Sequence, residues 1–235
     1  NAPNTGTGIF PVPSVFKVVA TADLDADGIA DLIWRDSSNN KYYYWRSRGD
    51  GQFDTGLIAT VSAGWLLSRT GDLNGDGRSD LIWHNATTNQ YGVWYMSGLN
   101  TTSLTQVYPV SSVYKLVGIS DLDGDGNGDL VWNNTTARQL YAWRNTTGTG
   151  SWAYLSLGGY GAGWDLVDLG DLNGDGRGDL VWQNTATGQA AHWYMNGATR
   201  LGTGAVNIGA GSVVAAVGDY NGDGFADLMV RNGTA

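Results

Sequence analysis

The segment Asp72–Trp83 reads DLNGDGRSDLIW and decides how the rest of the chain is interpreted. Near-copies of it begin at Asp23, Asp121, Asp171 and Asp219, with the sequences DLDADGIADLIW, DLDGDGNGDLVW, DLNGDGRGDLVW and DYNGDGFADLMV. The five starting points are separated by 49, 49, 50 and 48 residues. A steady period of this size is typical of solenoids and propellers, in which each repeat is one unit that stacks on its neighbours.

Between the Asp-rich segments, short stretches alternate apolar with polar residues and are separated by clusters of Gly, Asn, Ser and Thr. In the second repeat this alternation predicts strands over 66–71, 79–85, 90–96 and 104–110. Four short strands in roughly 50 residues are typical of a propeller blade. The sequence therefore predicts an all-β fold, a single β-propeller domain over 1–235 with four-stranded antiparallel blades.

The fourth strand of each blade is predicted to lie at its outer edge. Pro109 and Pro11 each lie twelve residues before a loop aspartate, within this strand. Proline is tolerated in strands mainly at edges, because it has no amide proton to donate to the ladder.

The fifth repeat ends at Ala235, before a third strand begins, whereas the segment up to Pro13 supplies only an equivalent of the fourth strand. We expect five blades, the last of them assembled from both ends of the chain and shortened to three strands, because closure leaves few exposed edges. The alternative is that the chain is part of a longer propeller, or that a second chain completes it.

Oxygen-bearing side chains recur at positions one, three, five and nine of every Asp-rich loop, and glycine recurs at position six. Calcium takes six to eight oxygen ligands, which alternate residues of a tight loop can supply, together with the backbone carbonyl of the variable position seven. Glycine permits the positive φ of the turn. The predicted ligands of about five structural calcium ions are Asp23, Asp25, Asp27, Ile29 and Asp31; Asp72, Asn74, Asp76, Arg78 and Asp80; Asp121, Asp123, Asp125, Asn127 and Asp129; Asp171, Asn173, Asp175, Arg177 and Asp179; and Asp219, Asn221, Asp223, Phe225 and Asp227.

Two other interpretations of these loops are weaker. An EF-hand closes its loop with glutamate at position twelve between two helices, whereas position twelve here is Trp or Val and a strand follows. A single such motif also occurs as an Asx-rich surface turn without a metal, but five copies at fixed spacing disfavour that explanation.

The composition limits the classes of function. The net charge is −9, and all 22 acidic residues are aspartate, which disfavours nucleic-acid binding and suits cation binding. Cysteine is absent, which excludes disulfides and thiol chemistry. No apolar run is long enough to insert into a membrane. The calcium chemistry predicts a secreted or extracellular protein, whereas no oligomeric state follows from the sequence.

The DxDxDGxxDLxW pattern of these loops resembles the FG-GAP or VCBS repeats of integrin α-chain propellers, of propeller lectins and of accessory domains in secreted bacterial proteins. The resemblance covers essentially the whole chain. It implies structural calcium bound by positions one, three, five, seven and nine. Propellers of that family usually have seven blades, so membership of a seven-bladed propeller is the alternative to five.

Three aromatic series recur with the repeat. One lies at the end of the second strand, at Trp34, Trp83, Trp132 and Trp182; another lies in the third strand, at Trp45, Trp94, Trp143 and Trp193. Both are expected to pack between blades. A third lies seven residues before the first aspartate of each of the first four repeats, at a turn between strands, whereas Ser212 has this place in the fifth. Sugar rings stack on aromatic side chains beside polar groups, so Trp65, Tyr114 and Trp164 of this series are the predicted ligand-binding residues.

The function predicted from the sequence is a noncatalytic recognition module, with carbohydrate as the first ligand class and an extracellular protein as the alternative. Some secreted polysaccharide-processing enzymes contain related propellers, so catalysis is a third class. His84 and His192 lie in different repeats, and no cluster of an acid with a nucleophile is visible, which disfavours it.

Overall fold

The computed structural model describes residues 12–232, and the side chains of 101–105 are not described. All regular elements in this range are strands. The first and second sheets contain β1 (Phe16–Ala22), β2 (Asp31–Asp36), β3 (Lys41–Ser47) and β4 (Phe53–Thr60), and β5 (Trp65–Gly71), β6 (Asp80–Asn85), β7 (Gln90–Ser97) and β8 (Asn100–Pro109). The third and fourth contain β9 (Tyr114–Ser120), β10 (Asp129–Asn134), β11 (Gln139–Asn145) and β12 (Trp152–Gly159), and β13 (Asp165–Gly170), β14 (Asp179–Asn184), β15 (Gln189–Asn196) and β16 (Thr199–Asn207). A fifth sheet contains β17 (Ser212–Gly218) and β18 (Asp227–Asn232).

Each of the first four sheets is a four-stranded antiparallel meander in chain order. The strands predicted in the second repeat are confirmed as β5 to β8, with ends shifted by a few residues. Pro109 pairs with Gln90 in β8, which is an edge strand, as predicted. Pro11 lies outside the described residues.

A bulge recurs in the first strand of every sheet, four residues before the loop aspartate. In the second sheet it falls between Leu67 and Arg69, opposite Trp83 and Ile82. A bulge adds one residue to a strand and changes which face the following side chains occupy. It therefore allows residues on either side of it, such as Trp65 and the loop, to be oriented independently.

The fifth sheet has two described strands, in agreement with a fifth repeat that ends early. The strand expected to complete it, from the beginning of the chain, falls largely on 1–11, outside the described residues. Closure by a composite blade therefore stays a prediction, as does the single-domain organisation.

The chain divides into two compact units, Asn1–Val110 and Ser111–Ala235. The core of the first unit lies between its two sheets and includes Ile33, Tyr42 and Trp83, with Tyr42 edge-on to Trp83 at 4.7 Å between ring centroids. The core of the second unit includes Leu140 and Trp182. Packing between sheets, predicted for the tryptophan series, is confirmed for Trp83 and Trp182, which are buried.

None of the described residues forms a helix with the length and hydropathy that a membrane span requires.

Candidate metal and ligand sites

Each Asp-rich loop joins the first strand of its sheet to the second, and its first aspartate organises the turn. In the second loop, Asp72 accepts backbone amides through both oxygens, from Gly75 and from Gly77, each at 2.8 Å. The same pair of contacts recurs at Asp23, Asp121, Asp171 and Asp219. Because these amides would otherwise lack partners in a tight turn, the aspartate stabilises the loop directly.

The glycine at position six has the backbone conformation predicted for it. The φ angles of Gly28, Gly77, Gly126, Gly176 and Gly224 lie between 79° and 87°. Position four is left-handed as well, and it is glycine in every loop except the first, where Ala26 has a φ of 64°. Side chains with a Cβ rarely adopt this conformation, so Ala26 holds local backbone strain.

The aspartate at position nine joins the loop to the third strand of its sheet. Asp80 is fully buried, and it accepts the amides of Leu73 at 2.9 Å and Met96 at 2.8 Å, one through each carboxylate oxygen. Asp31, Asp129 and Asp179 make the equivalent contacts. The sequence predicted these residues as metal ligands but did not reveal that they also tie the loop to the sheet.

Burial acts on the acidity of these carboxyl groups. It raises the pKa of Asp80 and of Asp129 to about 7; the neighbouring carboxylates raise each further, whereas the two backbone amides act against the shift. The pKa values of Asp31 and Asp179 are also raised, chiefly by burial. A buried carboxylate beside other carboxylates favours either a bound proton or a bound cation.

The aspartate at the third position of the first and third loops has a carboxylate oxygen that is available to bind calcium. Asp25 and Asp123 each have one oxygen, Oδ1, that is buried and has no hydrogen-bond partner in the described part of the chain. Carboxylate oxygens of Asp23, Asp25 and Asp27, and of Asp121, Asp123 and Asp129, lie within 4.8 Å of one another. Hard oxygen donors at this spacing, with an oxygen left over, fit a calcium ion.

Adjacent loops are bonded to each other within each unit. In the first unit the amide of Ser79 donates to the backbone oxygen of Asp23 at 2.7 Å. In the second unit the amides of Gly178 and Ala226 donate to the backbone oxygens of Asp121 and Asp171, each at 2.6 Å. The first aspartate of one loop therefore supplies, through its backbone oxygen, a hydrogen-bond acceptor for the following loop of the same unit.

Two of the three predicted ligand residues line cavities. Trp65 borders a cavity of about 200 Å³ together with Trp83 and Trp94, whereas Trp164 borders one of about 590 Å³ together with Trp182 and Trp193. The third, Tyr114, lies edge-on to Tyr141 at 5.5 Å, and its role stays a prediction.

The first sheet carries an equivalent cavity of about 440 Å³, which Phe16, Trp34 and Trp45 line. The three aromatic series that the sequence treated separately thus meet on one face of a sheet. In each of the first four sheets the tryptophan of the second strand lies 4.6–4.8 Å from that of the third, between ring centroids. Burial of Trp83 and Trp182 fixes the floor of their cavities, while the half-buried tryptophans remain accessible at the rim.

Three arginines were not singled out from the sequence. Arg46 and Arg144 contact the third-position aspartates of the first and third loops. Arg200 lies over the ring of Trp193 at 4.4 Å, in the cavity of the fourth sheet. For the first two a signal was present, because both lie 23 residues after the first aspartate of their repeat.

Both histidines pack against tyrosines. His84 is stacked on Tyr91 at 4.3 Å and lies 3.3 Å from the side-chain oxygen of Asn89. His192 lies 4.4 Å from Tyr194 between ring centroids, and burial lowers its pKa. Both histidines therefore pack against aromatic neighbours of their own sheet.

Comparison with known proteins gives a family match and a structural match. A sequence profile described as FG-GAP-like repeat matches residues 23–83, 121–182 and 171–230. No curated protein sequence matches the chain.

Among the matching solved structures is a lectin of Agrocybe aegerita, described as recognising non-reducing terminal N-acetylglucosamine. It is 18% identical, with a TM-score of 0.58 over 92% of this chain and 60% of the lectin chain. This chain therefore spans less than two thirds of the lectin's length. The likeness, together with the four-stranded antiparallel sheets, confirms the predicted β-propeller fold class.

Proposed function

The chain belongs to the family of FG-GAP-like repeat proteins, and on that premise we propose that it is a calcium-stabilised recognition module that binds carbohydrate without catalysing a reaction. Carbohydrate binding is assigned to the aromatic cavities. Calcium binding is assigned to the five Asp-rich loops. The two assignments concern different parts of each repeat and are tested separately.

The observation that carries the proposal is the recurrence of one cavity on equivalent faces of the first, second and fourth sheets. Each is lined by an aromatic residue from the start of the sheet and by one tryptophan from each of the next two strands. The apolar faces of sugar rings stack on such aromatic surfaces, and hydroxyl groups at the rim hydrogen-bond to polar neighbours. A ligand made of repeated sugar units matches a protein with repeated pockets, because linked sites raise avidity.

Polar groups are available at two of these cavities. Ser62 lines the cavity of the second sheet, while Thr203 and Arg200 line that of the fourth. A small number of polar groups in a mostly aromatic cavity is the usual composition of a small-molecule site. The structural likeness to a lectin gives independent support to the same ligand class.

Calcium is assigned a structural role, with about five ions in the five loops. The support comes from the buried partnerless oxygens of Asp25 and Asp123, and from the raised pKa values of the position-nine aspartates. Extracellular calcium modules work at millimolar concentrations of the ion, so these sites suit a secreted or extracellular protein. When bound, calcium neutralises the clustered carboxylates and is coordinated by oxygens that have no hydrogen-bond partner in the described part of the chain.

A glycan array screened with the calcium-loaded protein tests the proposal. We expect binding to a defined class of sugar in excess calcium, and loss of that binding in excess chelator at temperatures above the Tm of the ion-free protein. A protein that is folded in calcium and binds no glycan contradicts carbohydrate binding, and would favour protein adhesion.

A pair of variants then assigns the binding to the cavities. Trp65→Ala removes a half-buried ring from the cavity of the second sheet, whereas Leu66→Ala, the next residue of β5, truncates an exposed side chain that is not among the cavity residues. We expect Trp65→Ala to weaken glycan binding at this cavity roughly fivefold, the equivalent of an aromatic contact of about 1 kcal/mol, and Leu66→Ala to leave it unchanged. Equal affinities for the two variants, with both folded, would contradict the site.

A further inference from the structure

Two combinations of residues alternate along the first four repeats, and they link each loop to the third strand of its sheet. Where position three is aspartate, the residue 23 positions after the first aspartate is arginine; where position three is asparagine, that residue is tyrosine. The four pairs are Asp25 with Arg46, Asn74 with Tyr95, Asp123 with Arg144, and Asn173 with Tyr194. The carboxylate at position three therefore occurs together with an arginine in the third strand of the same sheet.

The structure brings the members of the acidic pairs into contact. A guanidinium nitrogen of Arg46 donates to Oδ2 of Asp25 at 3.2 Å, and Arg144 donates to Oδ2 of Asp123 at 3.1 Å. These aspartate side chains are each 18% exposed, so water screens the pairs only in part. In both aspartates the other oxygen is the buried one that finds no partner within residues 12–232. Arginine thus holds one oxygen and leaves its neighbour for another ligand.

The loops with asparagine satisfy position three differently. The side-chain oxygen of Asn74 accepts the amide of Asp76 at 3.1 Å, and that of Asn173 accepts the amide of Asp175 at 3.0 Å. Tyr95, at the place of the arginine in the second sheet, is buried and uncharged. An arginine there would have no third-position carboxylate to balance its charge.

Charge counting shows what the pairing does. The first and third loops contain four aspartates, and the second and fourth contain three. The second and fourth loops also carry an arginine at position seven, Arg78 or Arg177, which lies 3.8 Å or 3.6 Å from the position-five aspartate. The first and third loops have no charge at position seven, and there the third-strand arginine offsets one of the four carboxylates, although Arg46 also pairs with Asp54. Because these charge pairs are partly exposed and water screens them, one added or removed charge is expected to change the affinity for a divalent cation by about threefold to tenfold.

We propose that Arg46 and Arg144 set the calcium affinity of the first and third loops: each compensates the charge of the third-position aspartate and holds it by one oxygen. The inference rests on the calcium sites of the proposed function. Without the arginine, four carboxylates face one another in the ion-free loop, so the ion-free fold is less stable and calcium binds more tightly. With the arginine, the loop stays folded at low calcium and releases the ion more readily.

A double-mutant cycle in the third repeat of the full chain tests this, with calcium affinity measured by calorimetry and Tm measured in chelator. We expect Arg144→Tyr to tighten calcium binding about threefold to tenfold and to lower the Tm in chelator, and Asp123→Asn alone to weaken binding by a similar factor. The double variant recreates the Asn173 and Tyr194 combination of the fourth repeat and is expected to return close to wild type. Lys115→Gln, in the same sheet and away from the loop, controls for net charge and is expected to change neither quantity.

Asn173→Asp in the fourth loop provides a second test that leaves Arg144 in place. It adds a carboxylate without an arginine at the third-strand position, where Tyr194 stands, and leaves Arg177 paired with Asp175, so it should tighten calcium binding and lower the Tm in chelator, as Arg144→Tyr does. The proposal is overturned if Arg144→Tyr weakens calcium binding or changes nothing, or if the double variant is no closer to wild type than Asp123→Asn. A wild-type chain that binds no calcium would instead overturn the proposed function.

Discussion

The loop positions that look alike in sequence have different physical roles. Position one accepts the amides of its own turn, position nine is buried and anchors the loop to the third strand, and position three either pairs with arginine or accepts an amide. Aspartates at different positions of the loop therefore have different functions, although all of them recur with the repeat. Substitutions at these positions should differ in their effects on folding and on ion binding.

The first substitution concerns position five of the loop. Asp76→Ala removes one carboxylate from the second loop and also the acceptor of the Arg78 amide, which lies at 2.9 Å. We expect its Tm in calcium to fall by several degrees, because about 1 kcal/mol corresponds to roughly 2–4 °C for a chain of this length. Asp50→Ala, an exposed aspartate outside the loops, should shift the Tm by about 1 °C or less. Equal Tm values for the two variants would count against the loop assignment.

Position four of the first loop is the second case. Ala26 has a φ of 64°, where the other loops have glycine, so Ala26→Gly relieves strain. We expect a gain of about 0.5–1 kcal/mol in the free energy of unfolding, measured by denaturant titration in calcium. Ala59→Gly, in β4, is the control and should destabilise by a similar amount, because glycine is unfavourable in a strand. A destabilising Ala26→Gly would show that this turn is not strained.

Much of the residue-level description could be predicted. The aspartates at fixed spacing and the left-handed glycine follow from the needs of a tight turn with inward oxygens. The contact between Arg144 and Asp123 could not be predicted from spacing alone, because it spans 21 residues and depends on the register between loop and third strand.

At the scale of the element, the sheet is the unit in which the sites are assembled. Alternation of apolar and polar residues was sufficient to predict β5 to β8. The bulge in each first strand was not predicted, since no residue type marks it. Because of it, the meeting of three aromatic series on one face was not foreseen either, although the series themselves were.

The buried position-nine aspartates, which connect each loop to the third strand, predict that the stability of the ion-free protein depends on pH. Burial raises the pKa of Asp80 and of Asp129 to about 7 in the ion-free protein, whereas an unfolded aspartate has a value of about 4. The folded state thus binds these protons more tightly, and the stability they contribute is complete below about pH 4 and is lost as the pH rises through about 7. The lowered pKa of His192 acts in the opposite direction with a single, less buried group.

We therefore expect the Tm in chelator to fall between about pH 5 and pH 7.5, and to fall less or to rise in excess calcium, because the ion binds the deprotonated carboxylates. Asp80→Asn has no proton to lose at this position and should give a flatter profile in chelator. A Tm in chelator that rises across this window would contradict the buried, ion-free state described for these carboxyl groups.

At the scale of the whole molecule, the proposed function assigns the same ligand, calcium, to all five repeats of the loop. A ligand that binds only the folded state stabilises it by about 2.7 kcal/mol per site at a hundredfold excess over its dissociation constant. Hydrogen bonds between adjacent loops join these sites within each unit. The repeat period alone predicted the number of sheets, whereas their closure into a ring stays a prediction, because the segment before the first loop aspartate carries no loop motif that fixes its register.

The stabilisation of the fold by calcium is tested by thermal unfolding of the full chain in excess calcium and in excess chelator, near pH 7.5. We predict that the Tm in chelator is lower by about 10 °C or more, and that added calcium restores it whereas the same concentration of a monovalent salt does not. The same Tm in calcium and in chelator would contradict it, because the carboxylates would then be stable together without an ion.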